Sequence, residues 1–193
     1  GIGDMLDVVT GYFEEGQGEE EEDNKTRVAI VGKPNVGKSS LINRLIGENR
    51  LIVSDIAGTT RDAVDTLVKH NGKEYVLIDT AGLRRKNKIK EELERYMIVR
   101  TVSAVERADI VILVIDAVEG VTEQDAKIAG IAHERGKAVI IAVNKWDAVE
   151  KNNKTVNEYT DKVRNILSFM PYAEITFISA LTGQRLPKLY DLI

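Results

Sequence analysis

Eight residues, "GKPNVGKS" from Gly32 to Ser39, follow the apolar run "VAIV" and break it with two glycines, a proline, two lysines and a serine. The spacing is G-x-x-x-x-G-K-[ST], which suits one chemistry, the holding of a polyphosphate. Gly32 and Gly37 let the backbone wrap around the anion so that the N–H groups of Asn35, Val36, Gly37, Lys38, Ser39 and Ser40 converge on it. The positive end of the helix that follows adds to the field. Lys38 supplies a mobile point charge for the β and γ phosphates, and the Ser39 hydroxyl is a candidate ligand for Mg²⁺.

A phosphate cradle leaves the base unspecified. "VNKWD" ends a later apolar run, and a carboxylate at Asp147 can accept from both N1–H and the 2-amino group of guanine, a pair of donors that adenine lacks. A buried polar group left unpaired costs ~1–3 kcal/mol, so such a carboxylate discriminates between the bases. Asn144 is the candidate tie between this loop and the phosphate loop, and the Lys145 stem is expected to lie along the base. Further on, "ISALTG" offers Ser179 and the Ala180 amide, a donor suited to guanine O6.

Two stretches between these points complete the chemistry. "LIDTAG" puts Asp79 at the end of a strand, suited to the Mg²⁺ shell through water, with the Gly82 amide free to meet a γ phosphate. "AGTTRD" brings Thr59 or Thr60 over the metal, Thr60 being favoured. The metal set is then Ser39, Thr60 and Asp79, and the catalytic set includes Lys38, Thr60 and Gly82. Loops held by a γ phosphate and released after hydrolysis make a switch.

The elements that must position these residues are legible in the hydrophobic pattern. Runs rich in Val and Ile occupy 27–32, 75–79, 109–116, 137–143 and 174–179, and amphipathic stretches fall at about 38–47, 88–106, 122–135, 154–169 and 185–193. Strands apolar along their whole length, alternating with helices, predict a mainly parallel sheet covered by helices on both faces. In "DAVDTLVKHNGKEYVLIDT" two extended runs flank "NG", the strongest short hairpin signal, so one edge strand is expected to be antiparallel. The α/β expectation is thus six strands, with the phosphate loop where strand hands over to helix.

Composition narrows the classes. The chain has 193 residues and no cysteine, which excludes disulfides and cysteine-based metal sites. His70 and His133 are far apart in sequence and are expected as surface or packing residues rather than a metal pair. The longest apolar run, "ADIVILVIDAV", is about half the ~20 residues of a membrane span, so no membrane and a cytoplasmic location are expected. The net charge of −4 is uneven: residues 1–24 hold nine acidic and no basic residues, while the remainder holds 27 basic against 22 acidic. The acidic stretch "EEGQGEEEEDN", residues 14–24, marks an extended linker expected over 16–25, behind a short helix over 1–15. The domain proper is expected over 26–193.

From Thr26 onward the chain resembles a translation-factor-class GTPase domain with the P-loop GTPase fold. The stretches "GKPNVGKSSLINRLIGENRLIVSDIAGTTRDAVDT", "DTAGLRRK" and "VNKWDAV" resemble the second GTPase domain of the EngA/Der double-GTPase family. That resemblance implies tandem GTPase domains followed by a KH-like domain, with a role in assembling the bacterial large ribosomal subunit. It makes "GIGDMLDVV" similar to the last helix of the preceding GTPase domain, whose counterpart here is "GQRLPKLYDLI", and the acidic stretch an inter-domain linker. The first GTPase domain and the KH-like domain are then expected outside this chain.

Many switch proteins carry Gln after "DTAG", where this chain has Leu83, which cannot orient water. The resemblance implies a potassium ion, held partly by Asn35, in the place of an arginine finger; the alternative is that Asn35 only shapes its loop. Glu91 or Glu92 could position water or be solvated helix carboxylates. The basic "LRRKNKIK" over 83–90 suits either contact with ribosomal RNA or a neighbouring domain, or a solvated loop. Trp146 either packs beside the base loop or fills space. The expected activity is hydrolysis of GTP to GDP and phosphate with Mg²⁺, slow alone and stimulated by potassium. The alternatives are a nucleotide-gated module that hydrolyses little until a partner completes its site, and an ATP-using P-loop enzyme, which Asp147 argues against.

Overall fold

The computed structural model describes residues 25–48, 55–57, 64–80 and 93–193. Strand β1 (Thr26–Val31) leads through the glycine loop into helix α1 (Lys38–Glu48). Then come β2 (Asp55–Ala57), β3 (Val64–His70), β4 (Lys73–Leu77), α2 (Leu93–Arg107), β5 (Ile110–Asp116) and α3 (Glu123–Glu134). The chain continues with β6 (Ala138–Asn144), a 3₁₀ turn (Trp146–Ala148), α4 (Thr155–Ile166), β7 (Glu174–Phe177) and α5 (Leu186–Leu192).

The sheet runs β2-β3-β4-β1-β5-β6-β7. Strand β1 is parallel to both β4 and β5, and the β5–β6 and β6–β7 pairs are parallel as well. Strand β3 pairs antiparallel with β2 and with β4, so it is the one strand running against the rest. The expected antiparallel strand is therefore present, with the short β2 as a seventh strand outside it. Three residues carry too little alternation to announce a strand. The hairpin turn is as the sequence predicts: Asn71 and Gly72 have φ of 48° and 80°, the left-handed pair of a type I′ turn.

Alternate strand residues feed two cores, as the pleat requires. Ala29, Val31, Val111, Leu113, Ile115, Ile141 and Val143 point toward α2, α3 and α4, where Val105, Ala129, Ala132 and Val163 meet them. Val28, Ile30, Ile112, Val114 and Ala142 point to the other face, against Leu41, Ile42 and Leu45 of α1 and Leu186, Leu189 and Tyr190 of α5. Both faces of the central strands are thus dry, which explains their unbroken apolar runs. The chain leaves β1 toward β4 and leaves β5 toward β6, so their carboxyl ends diverge and open the crevice where such sheets bind ligands.

Boundaries moved by a few residues. The run expected over 75–79 ends as a strand at Leu77, so Asp79 lies beyond the strand end. The helix expected over 88–106 is described from Leu93 to Arg107. The two histidines have separate aromatic partners. His70 stacks on Tyr190 at 3.9 Å and 7°, and His133 Nδ1 lies 3.1 Å from the Tyr172 hydroxyl. Among the described residues no helix is long and apolar enough to cross a membrane. The expected N-terminal helix and acidic linker, Thr59, Thr60, Gly82, Leu83, Glu91, Glu92 and the basic cluster over 83–90 lie outside the described residues.

Candidate functional site

The loop between β1 and α1 is built from backbone conformations that side chains resist. At Gly32, with φ +148°, an added Cβ would lie 2.4 Å from the Val114 carbonyl oxygen of the neighbouring strand. At Gly37, with φ +100°, it would lie 2.2 Å from Asn144 Nδ2. Neither approach leaves room for a methyl group. Asn35 is exposed and left-handed at φ 63°, a conformation that Asn tolerates better than most residues. Val36 is buried against α1 and anchors the loop from below, while Ser40 is exposed at the first turn of the helix.

Lys38 opens α1, and its ammonium donates to the Gly32 carbonyl at 2.8 Å and to the Lys33 carbonyl. Burial pushes it down to about 8, against a smaller pull upward from Asp125. A lysine folded onto its own loop and short of solvation is a cation in need of an anion. Ser39 is half-buried one residue on.

The base side is assembled from the ends of β6 and β7. Asn144 is 2 % exposed; its Nδ2 donates to the Val36 carbonyl at 2.9 Å and its Oδ1 accepts from the Ala180 amide at 2.9 Å. One amide side chain therefore ties the phosphate loop to both later loops. The Ala180 N–H, expected to face a base carbonyl, makes this internal bond. Ser179 is fully buried, and its hydroxyl accepts from the Thr182 amide at 3.1 Å, which closes the turn after β7. Arg44 of α1 braces the same turn by donating to the Leu181 carbonyl at 2.6 Å.

Lys145 is left-handed at φ 62°, and its Nζ lies 2.5 Å from Asp116 Oδ2 at the end of β5. Burial alone would raise Asp116, but Lys145 and the amides of Val118 and Glu119 hold its carboxyl below the usual carboxylate range. Asp147 follows in the 3₁₀ turn with its side chain exposed. Trp146 between them is 2 % exposed, packs on Phe177 with centroids 4.4 Å apart and meets Tyr159 edge-on at 5.6 Å. It fills space and so fixes the turn that carries Lys145 and Asp147. The Tyr159 hydroxyl donates to the Asp116 carbonyl at 3.3 Å; burial first, then the carboxylates of Asp116, Asp125 and Glu119, push Tyr159 up to about 12.

Sequence reasoning missed three polar residues here. Asp116 orients Lys145, and its only signal is an acid at the carboxyl end of an apolar run. Lys33 and Asp125 form the others, at 4 % and 0 % exposure. Lys33 Nζ lies 2.9 Å from Glu119 Oε1 and 3.5 Å from Asp125 Oδ2, charge contacts without hydrogen-bond alignment. Burial lowers Lys33, but the two carboxylates outweigh it and hold the ammonium above its ordinary value. Asp125 also closes a capping box with Thr122 at the start of α3, a Thr-x-x-Asp spacing that can be read in "TEQD".

Asp79 is two residues past β4 with φ 55°. Its carboxylate accepts from Arg100 Nε at 3.0 Å and from Nη2 at 2.5 Å, and its amide donates to Asp65 Oδ1 at 2.9 Å. Among the described residues no group of three His, Cys, Asp or Glu could enclose a metal ion. What the described residues offer instead is oxygen chemistry, a hydroxyl at Ser39 and a carboxylate at Asp79. Such a set fits Mg²⁺, which keeps its waters and takes one or two protein oxygens beside phosphates.

The family model described as 50S ribosome-binding GTPase matches residues 27–145. GTPase Der of Agathobacter rectalis is 72 % identical over 193 residues, and GTPase Der of Acetivibrio thermocellus is 58 % identical over the same length. The match takes in all of this chain and 44 % of each relative, so the chain spans less than half the length of these curated relatives. Among solved structures, Era in complex with MgGDPNP and nucleotides of 16S ribosomal RNA superposes with a TM-score of 0.66 at 33 % identity, covering 87 % of this chain and 55 % of that one. A probable GTP-binding protein, engB, shares the fold with a TM-score of 0.63 at 22 % identity, covering 86 % of this chain and 96 % of that one. With a family match spanning the glycine loop, the hairpin and the strand end at Asn144, the chain belongs to the 50S ribosome-binding GTPases and resembles a GTPase domain of the EngA/Der kind.

Proposed function

We propose that this domain binds guanine nucleotide and hydrolyses GTP to GDP and phosphate by in-line attack of water. The observation that carries the reading is Asn144, which joins the glycine loop to the two loops at the carboxyl ends of β6 and β7. Phosphate and base would then be held by one braced unit. The amides of Gly32, Asn35, Val36, Gly37, Lys38, Ser39 and Ser40 would cradle the phosphates, and Lys38 would leave its loop carbonyls for the β and γ oxygens. Asp147 would select guanine. The Lys145 stem, aligned by Asp116, would lie along the base, and Ser179 with Ala180 would shape its far edge.

Ser39, Asp79 and Thr60 would hold Mg²⁺, which when bound neutralises charge that develops between the β and γ phosphates. This chain's own part is to orient: Lys38 on the phosphate oxygens, the loop amides on the bridging region, Gly82 on the γ phosphate. Asn35, exposed on the loop, is the proposed contributor to a potassium site that would stand in for the water-orienting residue absent at Leu83.

The Arg100 grip on Asp79 favours a second reading, in which the isolated domain binds nucleotide and hydrolyses little until a partner completes its site. The family description supports the large ribosomal subunit as that partner, and the 44 % coverage of the Der relatives supports further domains acting beside this one. That these are GTPase and KH-like domains working in the cytoplasm is what the EngA/Der resemblance implies. Single-turnover hydrolysis of GTP and of ATP, each in potassium and in sodium with Mg²⁺, tests both readings. Turnover of GTP alone, faster in potassium, is the expected result. Tight GTP binding without turnover in either salt would give the second reading the lead, and turnover of ATP would overturn both.

A further inference from the structure

Asp79 occupies a left-handed conformation, φ 55°, a region that Asp enters more readily than most residues and in which its contacts here hold it. The surroundings are specific. Its amide donates to Asp65 Oδ1 at 2.9 Å, and Asp65 Oδ2 is paired with Arg107 of α2. Both carboxylate oxygens of Asp79 are taken by Arg100 of the same helix, Oδ2 from Nε at 3.0 Å and Oδ1 from Nη2 at 2.5 Å. Arg100 and Arg107 are two helical turns apart, so one face of α2 clasps the hairpin through two aspartates. The Thr80 hydroxyl, buried, lies 2.8 Å from that of Thr66 and closes the same corner.

The Arg100 and Asp79 side chains are only 26 % and 17 % exposed. A bidentate guanidinium–carboxylate pair in a partly dry site is stronger and more directional than a surface ion pair. It also opposes a second cation, because the guanidinium already neutralises the carboxylate and occupies both oxygens. The left-handed backbone supplies an alternative state: relaxing φ to negative values swings the side chain to another direction. Helix α2 follows the "DTAG" stretch in sequence, so a shift of that helix could withdraw Arg100.

We propose that Arg100 is a positioning residue that holds the Asp79 carboxylate away from metal duty, so that Mg²⁺ engages Asp79 only when the Arg100–Asp79 pair opens. This rests on the reading of Asp79 as part of the Mg²⁺ shell. Arg100 thereby sets how much Mg²⁺ is needed to retain nucleotide.

The test is the dissociation rate of a fluorescent GDP analogue from the whole chain, followed across Mg²⁺ concentrations from micromolar to millimolar, for wild type, Arg100→Gln, Arg100→Lys, Asp79→Asn and the double variant Asp79→Asn with Arg100→Gln. Removing the guanidinium is expected to lower the Mg²⁺ concentration for half-maximal slowing by about fivefold or more, the low end of coupling between linked equilibria. Arg100→Lys should sit closer to wild type, and Arg100→Gln should have no further effect on the half-point once Asp79 is Asn. A half-point raised by Asp79→Asn but unmoved or raised by Arg100→Gln would overturn the role of Arg100. A general folding defect would speed release at every Mg²⁺ concentration alike without moving the half-point, and would count against it in the same way. If Asp79→Asn leaves the half-point where it was, the metal reading of Asp79 itself fails.

Discussion

Asn144 bridges two loops, donating to the Val36 carbonyl, 108 positions away in sequence, at 2.9 Å while accepting from the Ala180 amide, 36 positions away, at 2.9 Å. Truncating it would leave a carbonyl and an amide unpaired in a site that Asn144 itself shows to be dry, at 2 % exposure. Each such group costs about 1–3 kcal/mol. Asn144→Ala is therefore expected to lower the thermal midpoint of the nucleotide-free protein and to weaken GDP binding by about 10-fold or more. Calorimetric melting and equilibrium titration check the two effects separately.

Gly37 bears on the same contact from the other side. A Cβ there would fall 2.2 Å from Asn144 Nδ2, an atom held by its own hydrogen bond, and φ +100° disfavours any side chain. Gly37→Ala is expected to displace Asn144 and lose most nucleotide affinity while the chain still folds, because the apolar cores on either face of the sheet are untouched. Circular dichroism with GDP titration separates loss of binding from loss of fold.

The base assignment depends on hydrogen-bond polarity at Asp147. Replacing its carboxylate by a carboxamide converts one acceptor into a donor, so Asp147→Asn is expected to lose guanine nucleotide and to gain xanthine nucleotide, which carries a carbonyl in place of the 2-amino group. Discrimination built on paired polar groups is lost by about 100-fold or more when the pairing is broken. Competition between GDP and XDP for a labelled nucleotide measures the exchange.

Lys38 gives a pH dependence with two opposite slopes. Burial holds its ammonium near 8 in the nucleotide-free protein, below the ordinary 10.5. The unfolded chain binds more protons than the folded one between those values, so stability of the nucleotide-free protein is expected to rise as pH rises through that window. Bound phosphate favours the charged form and draws a proton onto Lys38. Nucleotide affinity is then expected to fall above about pH 8, by up to about tenfold per unit. Titrations at pH 7, 8, 9 and 10, with Lys38→Met as the control that removes the slope, check the sign.

The sequence carried the elements whose signals are local. The glycine loop and the Asn71–Gly72 turn announce themselves within a few residues, because each depends on backbone conformations open to few residue types, and the strand end at Asn144 is marked by polar residues closing an apolar run. Strand β2 was invisible, since three residues paired with β3 gain their order from the neighbour rather than from their own pattern. The role of Asp116 was hidden for a related reason: its partner Lys145 arrives from the next strand, and only the parallel β5–β6 register, with Asp116 opposite Asn144, brings them together. Trp146 fits either role by sequence, and the packing of Tyr159 and Phe177 around its ring decides for filling space. The grip of Arg100 on Asp79 likewise depends on how α2 crosses the hairpin, which no spacing records.

The central claim is guanine nucleotide recognition by this single domain, and competition binding meets it most directly. With a fluorescent GDP analogue bound in Mg²⁺ buffer, unlabelled GDP and GTP are expected to displace it at concentrations at least about 100-fold lower than ADP or ATP, a discrimination typical of sites that hydrogen-bond the distinguishing group. Equal displacement by adenine nucleotides would contradict the assignment of Asp147 and with it the account of the base side of the site.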